Sequence, residues 1–357
     1  MKKTNFSIIG SGWRAEFFLR VAKELPEQFE VTGIVVRNQA KGRIIEKNWA
    51  IRTFRTIDEM FAETEAEFVV VSVPRDINPQ ILRKLALGKI PVLVETSPAV
   101  DLDGLIEVWK LTQSGARIQV AEQYIYQPGH AGRLNIVNSG WLGQISQAQI
   151  SAAHGYHGVS LIRNYLGVGF QKATITTKEF EAKLIAGPGR DGPPKEERLI
   201  SSSQVIAYLD FGDKLGIYDF VSDQYFSWIR SNRVLVRGRQ GEINNNTVRY
   251  LLDYKTPIEL ELRRVDAGQT GNLEGYFHKG ILAGDRWIYR NEFTPARLAD
   301  DEIAVATCLK KMAEYVRGGS EFYSVAQAAQ DTYVAILIEK AVQTKQKIIV
   351  EPQPWVV

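Results

Sequence analysis

Over the first 122 residues, short runs rich in Val, Ile and Phe alternate with longer stretches in which apolar residues recur every three or four positions. The runs at 6–9, 31–36, 68–73, 92–95 and 118–122 read as buried strands, and those at 13–24, 39–48, 79–87 and 102–113 as amphipathic helices. Such alternation builds a parallel sheet through right-handed crossovers, with helices on both faces, so a doubly wound α/β domain is predicted. Asp101 and Asp103, just ahead of the fourth helix, are expected to serve as cap and dipole charges.

The pattern changes near Gln123. Period-two runs at 204–211, 214–220, 233–237 and 258–264 predict strands, and Asp210-Phe211-Gly212-Asp213-Lys214 is turn chemistry between two of them. Helical stretches at 159–166, 301–317 and 326–344 interrupt this part, and the Gly- and Pro-rich run 187–197 reads as a mobile loop. The expectation is an α+β domain over 123–357 with a largely antiparallel open sheet, following a dinucleotide-binding domain over 1–122. An open face of such a sheet is commonly covered by another subunit. Tyr218, Phe220 and Leu262 are the apolar candidates for that contact, and a homo-oligomer, dimer or tetramer, is expected.

Composition narrows the classes. A chain of 357 residues with 45% apolar content exceeds a single core, in keeping with two domains. A net charge of +3 from 44 basic and 41 acidic residues is too balanced for electrostatic wrapping of nucleic acid. Apolar runs fall short of the ~20 residues a membrane helix needs, and Met1-Lys2-Lys3 opens onto a strand-like run rather than an apolar leader. With Cys308 as the single cysteine, a reducing cytoplasm is the expected compartment. His154 and His157 have no carboxylate at ligand spacing, so no metal is expected. Arg230, Arg233, Arg237 and Arg239 fall on and around a strand and read as a solvated or interface face.

The sharpest chemical signal follows the first strand: Gly10-Ser11-Gly12-Trp13-Arg14-Ala15, a GxGxxA sequence opening a helix. Gly10 permits the tight turn, Gly12 lets backbone amides approach a pyrophosphate, and Ala15 keeps helix and strand close, while the helix amino terminus supplies partial positive charge. About 20 residues on, NAD-binding units carry an acidic residue for the ribose hydroxyls. Here the second strand runs into Arg37, Asn38 and then Lys41. Arg37 in that place suits the extra phosphate of NADP, with Arg14 as a further contributor, so NADP is favoured and NAD is the alternative.

These features resemble the Gfo/Idh/MocA family of oxidoreductases over nearly the whole chain. The anchors are the fingerprint at Gly10, the strand leading to Val73-Pro74, the run Gly88–Glu95, the segment Ala121-Glu122-Gln123-Tyr124-Ile125-Tyr126 resembling the family's crossover, His157–Gly167 resembling its substrate-facing helix, and Gln330-Asp331. The resemblance implies a Rossmann domain and hydride transfer between a nicotinamide and a sugar, cyclitol or other small carbonyl or imine substrate. It places Trp13, Val73, Pro74, Glu95 and Gln123 beside the cofactor. Members typically read Glu-Lys-Pro where this chain reads Glu95-Thr96-Ser97-Pro98, so Thr96 stands in place of a lysine. The family's aspartate, four residues before its histidine, falls on Ala153, with His154 nearby. His157 remains the candidate proton donor or acceptor. Tyr156, Tyr124, Tyr126 and His154 are candidates for holding substrate. The altered positions also admit a dinucleotide-binding regulatory protein as an alternative.

Overall fold

The computed structural model describes residues 2–269 and 272–356. The chain forms β1 (Thr4–Ile9), α1 (Trp13–Glu24), β2 (Phe29–Val35), α2 (Gln39–Trp49), β3 (Thr53–Phe54), α3 (Ile57–Glu63), β4 (Phe68–Val71), α4 (Asn78–Leu87), β5 (Val92–Val94), α5 (Leu102–Gln113) and β6 (Ile118–Val120). It continues through α6 (Pro128–Asn138), β7 (Ile145–Ser151), α7 (Gly155–Leu166), β8 (Thr174–Ile185), β9 (Leu199–Asp210), β10 (Leu215–Val221), β11 (Arg233–Gly238), β12 (Gly241–Asn244), β13 (Thr247–Asp253), β14 (Thr256–Gln269), β15 (Asn272–Ala283), β16 (Arg286–Arg290), α8 (Asp300–Val316), α9 (Val325–Thr344) and β17 (Ile348–Ile349). Two compact units result: residues 1–131, 264–280 and 289–329 form one, and residues 132–263, 281–288 and 330–357 the other.

In the first unit six parallel strands take the order β3-β2-β1-β4-β5-β6. That order reverses between β1 and β4, the switch point where doubly wound sheets hold ligands. β4, Phe-Val-Val-Val, is buried throughout, as a strand covered on both faces must be. The Phe6 and Phe68 rings stack at 5.7 Å across β1 and β4, and each such fully buried side chain contributes about 1.5–3 kcal/mol. α1 turns Ala15, Phe18, Leu19 and Ala22 inward, a spacing of three and four residues that lays one stripe on the sheet. α8 returns to this unit: Ile303, Ala306 and Leu309 join the core around Phe18 and Leu19, and Glu302 pairs with Arg20 at 2.5 Å.

β3 and α3 carry no legible hydrophobic period, because a two-residue strand and a seven-residue helix are too short for one to register. Their local signal is a capping box: Thr56 Oγ1 accepts from the Glu59 amide at 3.1 Å, and Glu59 reaches back to the Thr56 amide. Three strands expected to run to Val73, Glu95 and Glu122 end at Val71, Val94 and Val120. The residues beyond leave the ladder to build the site.

The other sheet has eleven strands in the order β16-β15-β14-β13-β12-β11-β7-β10-β9-β8-β17, of which β7 to β13 and β17 lie wholly in the second unit. β7 and β10 pair in parallel, while β8–β9, β9–β10, β7–β11, β11–β12, β12–β13 and β13–β14 are antiparallel. α7 covers one face so closely that a Cβ on Gly158 would lie 2.7 Å from the Tyr218 ring. This corrects the expectation for Tyr218 and Phe220: both are buried on the covered face, at 7% and 6% exposure, and are not offered to a partner, while Leu262 is half-buried. Along β10 both parities carry apolar residues, so alternation alone could not choose the face. The arginines at 230, 233 and 237 pair with Asp223, Asp219 and Glu242. Among the described residues, no helix is long and apolar enough to cross a membrane.

Candidate functional site

At the carboxyl ends of β1, β2 and β4 lies a cavity of about 600 Å³. Its floor is the turn after β1. Gly10 sits at φ +112°, and a Cβ there would come within 2.0 Å of the Ser72 carbonyl oxygen, so only glycine closes this turn. Gly12 caps α1 with extended backbone (φ −70°, ψ 172°) and no side-chain cap, and a Cβ built on it meets nothing within 4 Å. The open space above Gly12 and the uncapped start of α1 fit a pyrophosphate. Ala15 is buried against the core. Val73, Pro74, Glu95 and Thr96, all singled out in the sequence, line the same cavity.

Arg14, expected to add to the phosphate pocket, lines the same cavity as Arg37 and is also held by the strand ends beside it. Its Nε and Nη2 donate to Glu95 Oε1 at 3.2 and 3.0 Å, and Nη2 also donates to Gln123 Oε1. It therefore ties the ends of β5 and β6 to the first turn of α1. Its guanidinium also lies 4.4 Å from the Phe17 ring centroid, and Phe17 in turn meets half-exposed Trp13 edge-on at 5.5 Å. Gln123 is buried and outside the cavity wall, acting through Arg14.

Arg37 is exposed, lines the cavity and makes no hydrogen bond or ion pair among the described residues. Lys41 is not part of the wall; its amide donates to Asn38 Oδ1 at 2.9 Å, capping α2. A cation that the sequence pattern does not announce stands beside Arg37. Arg55 lines the cavity, donates from Nη1 to the Val36 carbonyl and from Nη2 to Thr53 Oγ1 at 2.8 Å, and makes no direct ion pair among the described residues, though its charge reaches the Glu46 carboxylate. The capping box at Thr56 would have marked it, since a strand–helix junction in the nucleotide-binding half ends at the ligand.

Beneath the end of β6, Glu122 is fully buried and accepts from the Tyr124 amide at 3.1 Å. Burial, reinforced by the nearby Glu95 charge, raises its carboxyl to about 8. Burial likewise pushes the Tyr126 phenol up, and its hydroxyl donates to the Phe322 carbonyl at 3.4 Å. Tyr124 packs near His130, with ring centroids 6.3 Å apart. Neither tyrosine belongs to the cavity wall.

In the second unit, α7 begins at Gly155, earlier than the predicted 159, and so carries Tyr156 and His157 in its first turn. His157 is buried and His154, at the cap position, is exposed. Their rings meet edge-on at 5.2 Å, and Tyr156 lies 4.4 Å from His157. His154 Nδ1 is 2.6 Å from the Tyr225 hydroxyl, and the Gly155 amide donates to the Tyr218 hydroxyl at 2.9 Å. His154 opens onto a separate cavity of about 700 Å³ whose wall includes Glu179, Ser203 and Glu339.

The parallel sheet and its glycine cradle define a Rossmann-type dinucleotide-binding unit. Residues 4–122 match the model of an oxidoreductase family with an NAD-binding Rossmann fold, GFO_IDH_MocA. A Saccharomyces cerevisiae protein described as uncharacterized, YMR315W, is 26% identical over 133 residues, 36% of this chain and 38% of the relative's length. Solved structures share the fold across nearly the whole chain. An NAD-binding oxidoreductase from Klebsiella pneumoniae superposes with a TM-score of 0.69 at 14% identity, covering 98% of this chain and 100% of the other. An Agrobacterium radiobacter oxidoreductase in complex with NAD+, L-tartaric acid and magnesium gives 0.66 at 15%, covering 97% and 98%. The WlbA dehydrogenase from Bordetella pertussis, in complex with NADH and UDP-GlcNAcA, gives 0.65 at 13%, covering 99% and 100%.

Proposed function

We propose that this chain is a nicotinamide-dependent oxidoreductase that favours NADP and acts on a small polar carbonyl, hydroxyl or imine substrate. The observation that carries the cofactor reading is the cavity wall itself, in which a glycine turn that tolerates no Cβ at Gly10 is followed by two arginines that make no direct ion pair among the described residues, Arg37 and Arg55. Gly10, Gly12 and the start of α1 would hold the pyrophosphate; Glu95 and Thr96, at the opposite strand ends, would flank the nicotinamide. The bound nicotinamide supplies reversible two-electron exchange with a substrate carbon. Arg14 keeps Glu95 in one orientation, and Glu95 in turn presents a fixed acceptor to the site.

His157 is the proposed proton donor and acceptor, its ring fixed by Tyr156 and His154. Thr96 has no charge with which to lower a substrate hydroxyl's pKa, which favours the reduction of substrates with their own proton affinity over the oxidation of unactivated alcohols. The same threonine supports the second reading, a regulatory protein that binds dinucleotide without turnover. Melting curves in the presence of NADPH or NADH at equal concentration test the cofactor assignment. NADPH is expected to protect more, and a larger shift with NADH refutes the preference. NADPH consumption with any carbonyl or imine metabolite favours the enzyme over the regulatory reading.

A further inference from the structure

We propose that Arg55 is a specificity-determining residue of the dinucleotide site, a guanidinium held in advance to bind a phosphate on the adenosine 2′ position beside Arg37. The inference rests on the NADP reading above and adds a second, preorganised cation that the position after β2 does not supply.

Arg37 and Arg55 share one end of the cavity, because Arg55 Nη1 bonds the carbonyl of Val36, the residue immediately before Arg37. The two cations differ in how they are held. Arg37 makes no bond of its own among the described residues. Arg55 is fixed at both ends: its amide donates to Glu59 Oε2 at 2.9 Å, and its Nη2 donates to Thr53 Oγ1 at 2.8 Å. Thr53 is itself oriented, donating its hydroxyl proton to Glu46 Oε1 at 2.6 Å, which leaves the oxygen lone pairs for the guanidinium. Glu46 thus orients Arg55 through threonine and adds a weaker charge attraction of its own, without a direct ion pair. Two of five guanidinium donors are used and the rest remain for a ligand.

The helix opposite has been cut back to make room. A Cβ on Gly42 of α2 would lie 2.6 Å and 2.7 Å from the two terminal nitrogens of Arg55 and 2.8 Å from Thr53 Oγ1. Glycine inside a helix costs about 1 kcal/mol relative to alanine, so its presence here matches a guanidinium that must occupy that space. Ribose hydroxyls are read by carboxylate acceptors, whereas two guanidiniums lining one end of a cavity without a direct ion pair favour a dianion between them. A guanidinium already immobilised loses little further freedom on binding.

Calorimetry on the purified full chain tests this with NADPH, NADH, adenosine 2′-monophosphate and AMP as titrants, on wild type, Arg55→Gln, Arg55→Lys and Gly42→Ala. The wild type is expected to prefer NADPH. Arg55→Gln is expected to lower the NADPH-to-NADH affinity ratio by about 10- to 100-fold, the worth of one charged hydrogen-bonded contact. The ratio of adenosine 2′-monophosphate to AMP should fall in parallel, and Arg55→Lys should retain part of both. Gly42→Ala leaves the charge in place but displaces it, so it decides the matter should Arg55→Gln fail to fold: the ratio should drop here too, without loss of melting temperature. A wild type that prefers NADPH, combined with ratios unchanged in these variants, overturns the role of Arg55 and leaves the NADP reading standing on Arg37. Equal loss of both nucleotides makes Arg55 a scaffold residue and also overturns it. A wild type that prefers NADH removes the NADP reading, and the inference with it.

Discussion

Gly10 shows how one missing carbon shapes the site. Its φ of +112° lies where L side chains are rare, and the Ser72 carbonyl occupies the space a Cβ would need. Gly10→Ala must therefore either open the β1–β4 junction or unwind the start of α1. We expect a loss of about 3 kcal/mol in stability and no detectable dinucleotide binding. Chemical denaturation together with calorimetry checks both, and an alanine variant that still binds nucleotide normally would show that the cradle is not where the phosphates sit. Gly12, with nothing within 4 Å of a Cβ built on it, works in the opposite way: its lack of a side chain leaves room for a ligand and relieves no clash.

Among the helices, α7 and α9 are joined by a charge pair with almost no access to water. Arg163 pairs with Asp331 while its Nε and Nη2 both donate to the Gly169 carbonyl, at 2.9 and 2.8 Å, and the two partners are only 4% and 2% exposed. Losing one member of such a pair strands the other charge, so Asp331→Ala is expected to cost about 3–5 kcal/mol. Replacing the pair together, Arg163→Met with Asp331→Leu, should recover much of that. Denaturant midpoints distinguish the two cases, and a single substitution that costs under about 1 kcal/mol would mean the pair is wetter than its burial implies. Gln330-Asp331, which the sequence marks through family resemblance, thus holds helices in place. Asp331 anchors α7, and Gln330 Oε1 accepts from the Trp355 indole at 2.8 Å.

For the molecule as a whole, Glu122 links the site to pH. Its carboxyl, ordinarily near 4.5, is raised to about 8 by burial and by Glu95. Between those two values the unfolded chain has released a proton that the folded chain retains, so this group's contribution is complete below about 4.5 and declines as pH rises toward 8. Glu122→Gln keeps an acceptor for the Tyr124 amide and cannot ionise. It should match the wild type near pH 4.5 and melt higher at pH 8, and melting curves that stay parallel across this range would contradict the assignment.

The strand–helix alternation, the cradle at Gly10 and the switch from parallel to antiparallel sheet were legible in the linear pattern, because each is carried by neighbours a few residues apart: period, glycine spacing and turn chemistry are local properties. The helices at 13–24 and 102–113 agree with it to the residue. Tertiary packing supplied the rest. Arg55 enters the cavity only because β3 lies beside β2, and Arg14 faces Glu95 only because β5 and α1 converge 81 residues apart in the chain. The covered face of β10 was set by α7, and the return of α8 to the first unit by its fit against α1. Contacts between distant segments depend on how surfaces interlock, and no local period encodes that.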